Sequence, residues 1–173
     1  MRACVPMRPS LSNMSALACL LLTVSACTSR TSSMNQTQLT DFATRYAAAW
    51  SSQNPDNLAA LYAENGSLKV NAGPPSVGRA AISATAKGFM AAFPDMVVRM
   101  DSVRRAGPQA IFYWTWTGTN TGPGGTGKSV RINGYEEWTM DSDGLIAESK
   151  GHYDEAEYQR QVTSGAPPAR PSP

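Results

Sequence analysis

The sequence predicts an α+β fold in which a curved antiparallel sheet wraps around N-terminal helices. Apolar residues recur at helical spacing over residues 39–50 and again over residues 82–93. In the second half of the chain, Phe112, Trp114 and Trp116 alternate with smaller or polar residues, as expected for a strand that buries one face. Helices that precede a run of antiparallel strands are typical of the α+β class.

Three helices and a short strand are predicted before the main sheet. The buried stripe of the first helix is Leu39, Phe42, Ala43, Tyr46, Ala47 and Trp50. Asn54 can cap a second helix that has Pro55 at its first position, and its buried stripe is Leu58, Leu61 and Tyr62. A short strand is expected over residues 67–70, and the third helix should begin after Gly78 and end at Pro94.

The composition indicates a single domain of ordinary size and limits the classes of function. The chain has 173 residues, of which 42% are hydrophobic and 16% charged. A net charge of +2 gives no reason to expect nucleic-acid binding. All three cysteines lie within the first 27 residues and there is one histidine, so the body offers no disulfide and few zinc ligands. We therefore expect no metal site.

The N-terminus has the features of a bacterial export signal. Positive charge at Arg2 and Arg8 precedes an apolar run that is too short to span a bilayer as a helix. The motif Val24-Ser25-Ala26-Cys27 resembles the lipobox of bacterial lipoproteins, which implies lipidation of Cys27 after cleavage. An ordinary secretory peptide is the alternative. The lipoprotein interpretation predicts export across the inner membrane and membrane contact through the lipid anchor alone.

These features divide the chain into four segments. Residues 1–26 form the signal peptide, and residues 27–37, rich in serine and threonine, form a flexible tether. Residues 38–164 form the folded domain. The proline-rich residues 165–173 are expected to be disordered.

One motif suggests nucleotide binding but lacks the required context. Residues 122–129 fit the P-loop pattern of glycines followed by Lys128 and Ser129. A working P-loop leads directly into a helix, whose N–H groups hold the phosphates. Here residues 130–134 continue with strand-type alternation, so we interpret the segment as a loop between two antiparallel strands.

The segment from Val130 to Val162 carries a carboxylate where a core residue is expected. Glu136 falls on the apolar face of a predicted strand, where it must be partnered, solvated by a cavity or neutral. A three-residue loop at 142–144, with Gly144 left-handed, would place Glu136 opposite Lys150. A loop of two or four residues would instead place it opposite Ser149 and scatter the polar groups. We favour the three-residue loop, which implies a pocket with titratable groups.

Several stretches in order resemble the SnoaL-like polyketide cyclases of the NTF2-like superfamily. The resemblance covers residues 39–162, which is nearly the whole domain. The stretches are Leu61-Tyr62-Ala63-Glu64-Asn65, Val77-Gly78-Arg79-Ala80-Ala81-Ile82, Ala92-Phe93-Pro94-Asp95-Met96, Trp114-Thr115-Trp116-Thr117-Gly118-Thr119 and Asp143-Gly144-Leu145-Ile146-Ala147-Glu148, followed by Asp154, Tyr158 and Gln161.

The resemblance implies a cone-shaped α+β barrel with an apolar cavity, often in a homodimer. It also implies chemistry without a cofactor, in which an acidic residue moves a proton during cyclisation or isomerisation of a small apolar carbonyl compound. Relatives with the same fold only bind ligands, so the alternative is a non-catalytic lipoprotein that binds a small ligand or a partner.

The predicted catalytic groups are Asp154, His152 and Glu136. Asp154 occupies the family's acidic position, although it could equally cap the short helix that follows it. His152 could shuttle protons or be structural, and Glu136 could form either a proton-transfer pair or a plain ion pair with Lys150. The remaining predicted pocket residues are Trp50, Tyr62, Phe112, Trp114, Trp116, Trp138, Glu148 and Lys150.

Overall fold

Four helices and six strands follow one another within residues 34–167, in nearly the predicted order. The computed structural model describes residues 34–167. The elements are α1 (Gln36–Ser51), α2 (Pro55–Ala59), β1 (Tyr62–Val70), β2 (Ser76–Val77), α3 (Arg79–Ala92), β3 (Val97–Ala106), β4 (Gln109–Thr119), β5 (Ser129–Met140), β6 (Ile146–Tyr153) and α4 (Glu155–Ser164).

The strands form one curved, unclosed sheet in the order β2-β1-β6-β5-β4-β3. All neighbouring strands pair antiparallel except β1 and β6, which are parallel. The predicted α+β class is confirmed. The sheet wraps around the helices as expected, but it stays open and does not close into a barrel.

The second helix is shorter than its apolar stripe predicts. α2 ends at Ala59, so Leu61 and Tyr62 do not belong to a helix. Tyr62 instead begins β1 and pairs in parallel with Ile146 of β6. Its side chain is fully buried. The strand pairing therefore overrides a helical pattern that only three residues supported.

Helix α1 covers the edge strand β3 and carries Tyr46 over the sheet. The Gln36 Nε2 group donates to the Val103 carbonyl at 3.0 Å, and the Ser51 hydroxyl accepts from the Val98 N–H at 2.9 Å. These contacts satisfy backbone groups that would otherwise stay unpaired at the sheet edge. α1 begins at Gln36, inside the segment predicted as a tether, because Asn35 and Gln38 form a capping box.

The β5–β6 hairpin has the predicted loop but not the predicted register. Gly144 is left-handed, with φ of 76°, and Met140 pairs with Ile146 as expected. A bulge then follows, since Thr139 pairs with Glu148 and leaves Ala147 without a partner in β5. The extra residue reverses the parity of β6 relative to β5.

The prediction that Glu136 lies opposite Lys150 is therefore wrong. Glu136 pairs with Gly151, and Lys150 pairs with Glu137 on the other face of the sheet. Ser149 now shares the inner face with Glu136, which the alternative loop lengths had implied. The physical reason is the bulge, because the prediction assumed an unbroken ladder between the strands.

The glycine-rich segment is a loop between antiparallel strands, as predicted. It joins β4 to β5, and its N–H groups are used within the protein. The Gly122 N–H donates to the Ala92 carbonyl at the end of α3, and the Gly127 N–H donates to the Asn120 carbonyl. A phosphate cradle would need such N–H groups to be free and followed by a helix.

The predicted signal peptide, Cys27 and the last six residues lie outside the described residues. Within residues 165–167, the Ala166 N–H donates to the Ser129 carbonyl at 2.7 Å. None of the helices between residues 34 and 167 has the length and apolar character needed to cross a membrane.

Candidate active site

The carboxyl group of Glu136 is buried in the concave side of the sheet, with 5% of the residue exposed. Three side chains donate hydrogen bonds to its Oε2 atom. The donors are the Tyr46 hydroxyl at 2.7 Å, the Trp138 indole N–H at 3.0 Å and the Ser149 hydroxyl at 2.5 Å. None of these bonds reaches Oε1, so that oxygen is the one left for a ligand.

Each donor comes from a different part of the chain. Trp138 follows Glu136 at the next inward position of β5, and Ser149 lies opposite Trp138 on β6. Tyr46 lies on the buried face of α1. The Trp138 ring is fixed by stacking on Phe112, with ring centroids 4.7 Å apart and planes 16° apart. Packing of α1 onto the sheet thus holds the carboxyl in one orientation.

Burial controls the protonation of this cluster. Loss of hydration raises the pKa of Glu136 above its ordinary value, and this effect exceeds the opposing effect of its three hydrogen bonds. Burial also raises the pKa values of Tyr46 and Tyr62 well above normal. Both phenols therefore stay neutral donors, and their hydroxyl groups are joined by a 2.8 Å hydrogen bond.

Glu136 forms part of the wall of a cavity of about 60 Å³. This is several times the roughly 10–15 Å³ in which one water can be placed, so the cavity suits a small molecule. The wall is almost entirely apolar. Its other residues are Trp50, Leu68, Val70, Phe89, Met96, Val98, Trp114, Trp116, Gly151 and Tyr153.

The aromatic residues of the wall support one another. Phe89 packs edge to face on both Trp50 and Trp116, with centroid distances of 5.9 Å in each pair. Trp114 lies over Gly134, where an added Cβ would approach its ring to within 2.4 Å. Gly134 therefore leaves the space that the Trp114 ring occupies.

The structure brings together part of the predicted site. Glu136, Trp50, Trp114 and Trp116 all line the cavity. Tyr62, Phe112 and Trp138 are fully buried behind the wall and do not line it. They form the layer that positions Glu136, through the Trp138 indole and through the bond between Tyr62 and Tyr46.

Three other predicted residues lie on the outer face of the sheet, away from the cavity. Glu148 and Lys150 form an ion pair at 2.9 Å with both side chains about 40% exposed. The His152 ring stacks on Tyr135, and its Nε2 lies 3.7 Å from Oε1 of Glu137. The predicted grouping of these residues with Glu136 is wrong, because the bulge at Ala147 turned them outward.

Asp154 is exposed and caps helix α4. Its Oδ1 accepts a hydrogen bond of 2.9 Å from the N–H of Glu157, so it occupies the N-cap position. The residue does not belong to the cavity wall. Its catalytic role remains a prediction, and the geometry favours the capping role instead.

Two of the three hydrogen-bond donors to Glu136, Tyr46 and Ser149, were not predicted as site residues. Tyr46 appeared only as a member of a helical stripe, and Ser149 only in the register that was not favoured. A tyrosine on the buried stripe of α1 was a usable signal, because a buried phenol needs a hydrogen-bond partner and Glu136 was in need of a donor.

The open, curved sheet packed against helices is the architecture of the NTF2-like fold. The SnoaL-like domain family matches residues 43–149, more than half of the chain. The chain therefore belongs to the SnoaL-like family. None of the curated proteins matches it.

Solved structures with the same fold include several related proteins. One is a protein from Jannaschia sp. CCS1 that is described as a SnoaL-like polyketide cyclase. It is 18% identical to this chain with a TM-score of 0.67, and the match covers 79% of this chain and 97% of that one. A protein of ketosteroid isomerase-like fold from Catenulispora acidiphila, in complex with trimethylamine, is 22% identical with a TM-score of 0.64, over 70% and 92%. SalBIII, an epoxide hydrolase/cyclase-like enzyme of pyran ring formation in salinomycin, is 15% identical with a TM-score of 0.61, over 71% and 95%.

Proposed function

We propose that this protein binds a small apolar carbonyl compound in its cavity and moves a proton on it through Glu136. The observation that carries the proposal is a single buried carboxyl at the wall of an otherwise apolar cavity. Membership of the SnoaL-like family and a cyclase-like enzyme among the solved structures of the same fold support the reaction class. We expect cofactor-free acid/base chemistry of the cyclisation or isomerisation type.

The two oxygens of Glu136 have different roles in this proposal, because the protein donates hydrogen bonds to only one of them. Oε2 accepts three donors, so a neutral carboxyl carries its hydrogen on Oε1. That O–H can donate to a ligand carbonyl, and the carboxylate left behind can remove a proton from the adjacent carbon. The raised pKa of Glu136 keeps both forms accessible closer to neutral pH than for an exposed glutamate.

A ring closure illustrates the proposed chemistry with balanced steps. In acetonylacetone, ionised Glu136 takes a proton from one terminal methyl carbon, and the resulting enolate carbon attacks the distant carbonyl carbon. The new alkoxide oxygen takes the proton back from Glu136. Loss of water then gives methylcyclopentenone, whose conjugated enone absorbs in the ultraviolet.

The test compares turnover of acetonylacetone by the wild-type protein and by two matched variants. Glu136→Gln should lower the rate by about a hundredfold or more, the usual scale for loss of an acid/base group. Glu137→Gln is the control, because Glu137 is the neighbouring carboxylate on the outer face of the sheet. Equal rates for wild type and Glu136→Gln would remove Glu136 from the mechanism.

The alternative is a non-catalytic NTF2-like protein that binds a small ligand or a partner. It is favoured by the position of Asp154, His152 and Lys150 outside the cavity wall, because Glu136 is then the one member of the predicted acid/base group in that wall. Binding of acetonylacetone without any product, under conditions that leave the fold intact, would support this alternative over the enzyme.

We also propose that the mature protein is anchored in the bacterial envelope through lipid on Cys27. The lipobox-like sequence supports this, although it lies outside the described residues. Wild-type protein made in a bacterial host should incorporate a clickable palmitate analogue, and Cys27→Ser should not. If the wild-type protein does not incorporate the analogue, the lipid-anchor proposal is wrong and the ordinary secretory peptide is the better interpretation.

A further inference from the structure

One oxygen of the buried Glu136 carboxyl is free of hydrogen bonds and open to the cavity. The three donors to this carboxyl all bond to Oε2, so Oε1 has no partner among residues 34–167. The indole nitrogens of Trp114 and Trp116 are also unpaired but are closed off from water, whereas Oε1 is not. Because Glu136 lines the cavity, Oε1 can accept a hydrogen bond from a molecule bound there.

The donors on Oε2 are arranged for a carboxylate ion. A neutral carbonyl oxygen offers two lone pairs, whereas Oε2 accepts from Tyr46, Trp138 and Ser149. Hydrogen bonds from a hydroxyl to an ionised oxygen are short, and the bonds from Tyr46 and Ser149 measure 2.7 and 2.5 Å. These bonds therefore stabilise negative charge on the carboxyl.

The cavity wall supplies no positive charge to balance that negative charge. None of the cavity-lining residues that the structure describes is a lysine, arginine or histidine. Loss of hydration has the largest effect on the pKa of Glu136 and raises it, while His152, on the outer face of the sheet, has the smallest effect and lowers it. A buried carboxylate requires an opposite charge nearby, so the missing partner is a cation that enters with a ligand.

The rest of the wall suits a cation that carries alkyl groups. Five of its eleven residues are aromatic, namely Trp50, Phe89, Trp114, Trp116 and Tyr153. Aromatic rings attract cations to their electron-rich faces, most strongly where the cation is shielded from water. Apart from Glu136, only Tyr153 among the wall side chains carries an oxygen, so the site offers few acceptors besides Oε1.

We infer that the cavity binds a small tertiary amine as its ammonium ion, which donates its single N–H to Oε1 of Glu136 and packs its alkyl groups against the aromatic wall. Either the ammonium ion meets ionised Glu136, or the free amine takes the Oε1 proton of neutral Glu136. Both routes give the same ion pair. This ligand class goes beyond the carbonyl compound proposed above, and such an amine would inhibit proton transfer by occupying the same acid.

The number of N–H groups on the ammonium ion determines the selectivity of such a site. A primary ammonium ion has three N–H groups, and Oε1 of Glu136 accepts a hydrogen bond from one of them. The other two would be buried against an apolar wall without acceptors, which is unfavourable. The cavity should therefore prefer a tertiary amine to a primary amine of equal size.

Calorimetric titration with two isomeric amines tests this selectivity. N-methylpyrrolidine is a tertiary amine, and cyclopentylamine is a primary amine of the same formula. Both are ammonium ions in water at neutral pH. Wild-type protein should bind N-methylpyrrolidine about tenfold more tightly, the scale of one buried donor left unpaired.

Two matched variants test the role of the carboxyl. Glu136→Gln keeps the size of the side chain and removes its charge, so it should bind N-methylpyrrolidine about tenfold more weakly or worse and lose the preference between the isomers. Glu137→Gln is the control, because Glu137 lies on the outer face of the sheet and the variant should bind as wild type does. A preference for N-methylpyrrolidine that persists in Glu136→Gln would overturn the inference.

Cyclopentanone, a ring ketone of similar size, separates this inference from the proposed function. If cyclopentanone binds and N-methylpyrrolidine does not, the amine site is excluded and the carbonyl proposal stands. The reverse result supports the amine site and contradicts the carbonyl proposal, and if neither compound binds, both fail. Equal binding of the two amines by wild-type protein would also overturn the inference, and this comparison decides even if Glu136→Gln does not fold.

Discussion

The hydroxyl of Tyr46 donates a 2.7 Å hydrogen bond to Oε2 of Glu136, although the two residues are 90 positions apart in the chain. The bond joins the first helix to the fifth strand at the centre of the core. It ties the orientation of the candidate acid to the packing of α1 on the sheet. Loss of either partner should therefore affect both stability and the site.

Tyr46→Phe tests the structural part of this relationship. The change removes one of the three donors to Glu136 and the bond between Tyr46 and the Tyr62 hydroxyl, so the free energy of unfolding should fall by about 1–3 kcal/mol. Urea denaturation measures this value. Tyr113→Phe is the control, because its hydroxyl bonds to exposed Arg104 on the outer face and should matter by less than about 0.5 kcal/mol. Equal effects of the two substitutions would contradict the importance of the buried bond.

The raised pKa of Glu136 predicts a specific dependence of stability on pH. The folded protein holds the Glu136 proton more tightly than the unfolded chain does. This contribution is complete below the ordinary pKa of 4.5, and it is lost as pH rises through the higher folded-state value. Wild type should therefore lose stability relative to Glu136→Gln as pH rises above 4.5.

The measurement is the difference between their free energies of unfolding across a pH series, in which the contributions of unrelated groups cancel. Glu137→Gln is the control. Because it keeps Glu136, it should show the same trend as wild type when each is compared with Glu136→Gln. A difference between wild type and Glu136→Gln that stays flat, or grows with pH, would show that Glu136 is not held neutral by burial.

Gly134→Ala should disturb the cavity wall. The new methyl group would meet the Trp114 ring at 2.4 Å and the His152 carbonyl at 2.5 Å, so the strand or the ring must move. Overpacking of this kind costs about 1–3 kcal/mol. Gly88→Ala is the matched control in helix α3, where nothing lies within 4 Å, and it should stabilise the protein by about 0.5–1 kcal/mol. Thermal melting of both variants should therefore shift in opposite directions.

Two substitutions of Asp154 distinguish its role as a helix cap from the predicted catalytic role. Asn is as good an N-cap as Asp, so Asp154→Asn should keep the stability of the protein, whereas Asp154→Ala should lose about 1 kcal/mol. Denaturant unfolding distinguishes the two. If Asp154→Asn instead abolishes turnover while the melting temperature is unchanged, the sequence-based catalytic role is restored and the cap is secondary.

Local patterns predicted most of the fold, because residues a few positions apart determine them. The alternation at Phe112, Trp114 and Trp116 predicted β4, two of whose tryptophans line the cavity, and Gly144 predicted the hairpin loop. The apolar surroundings of Glu136 marked it as unusual. Each of these predictions depends on side-chain periodicity or on the backbone freedom of a glycine, which sequence displays directly.

The rest of the site depends on contacts between distant elements. One extra residue, Ala147, turned Lys150 and His152 away from Glu136 and brought Ser149 to it. The sequence does not reveal a bulge of this kind, because β6 would bury some apolar residues with either of its two faces turned inward. The partnership of Tyr46 with Glu136 likewise depends on how α1 lies across the sheet, which its own periodicity does not specify.

Exchange of carbonyl α-hydrogens tests the central claim most directly, since it requires proton transfer but not the natural substrate. Methyl butyl ketone in D₂O should incorporate deuterium faster with wild-type protein than with buffer, as followed by proton NMR. Glu136→Gln should lower this catalysed rate by about a hundredfold or more, while Glu137→Gln should retain it. Ketone that binds in the cavity but exchanges no faster than in buffer, or equally fast with Glu136→Gln, would contradict proton transfer by Glu136.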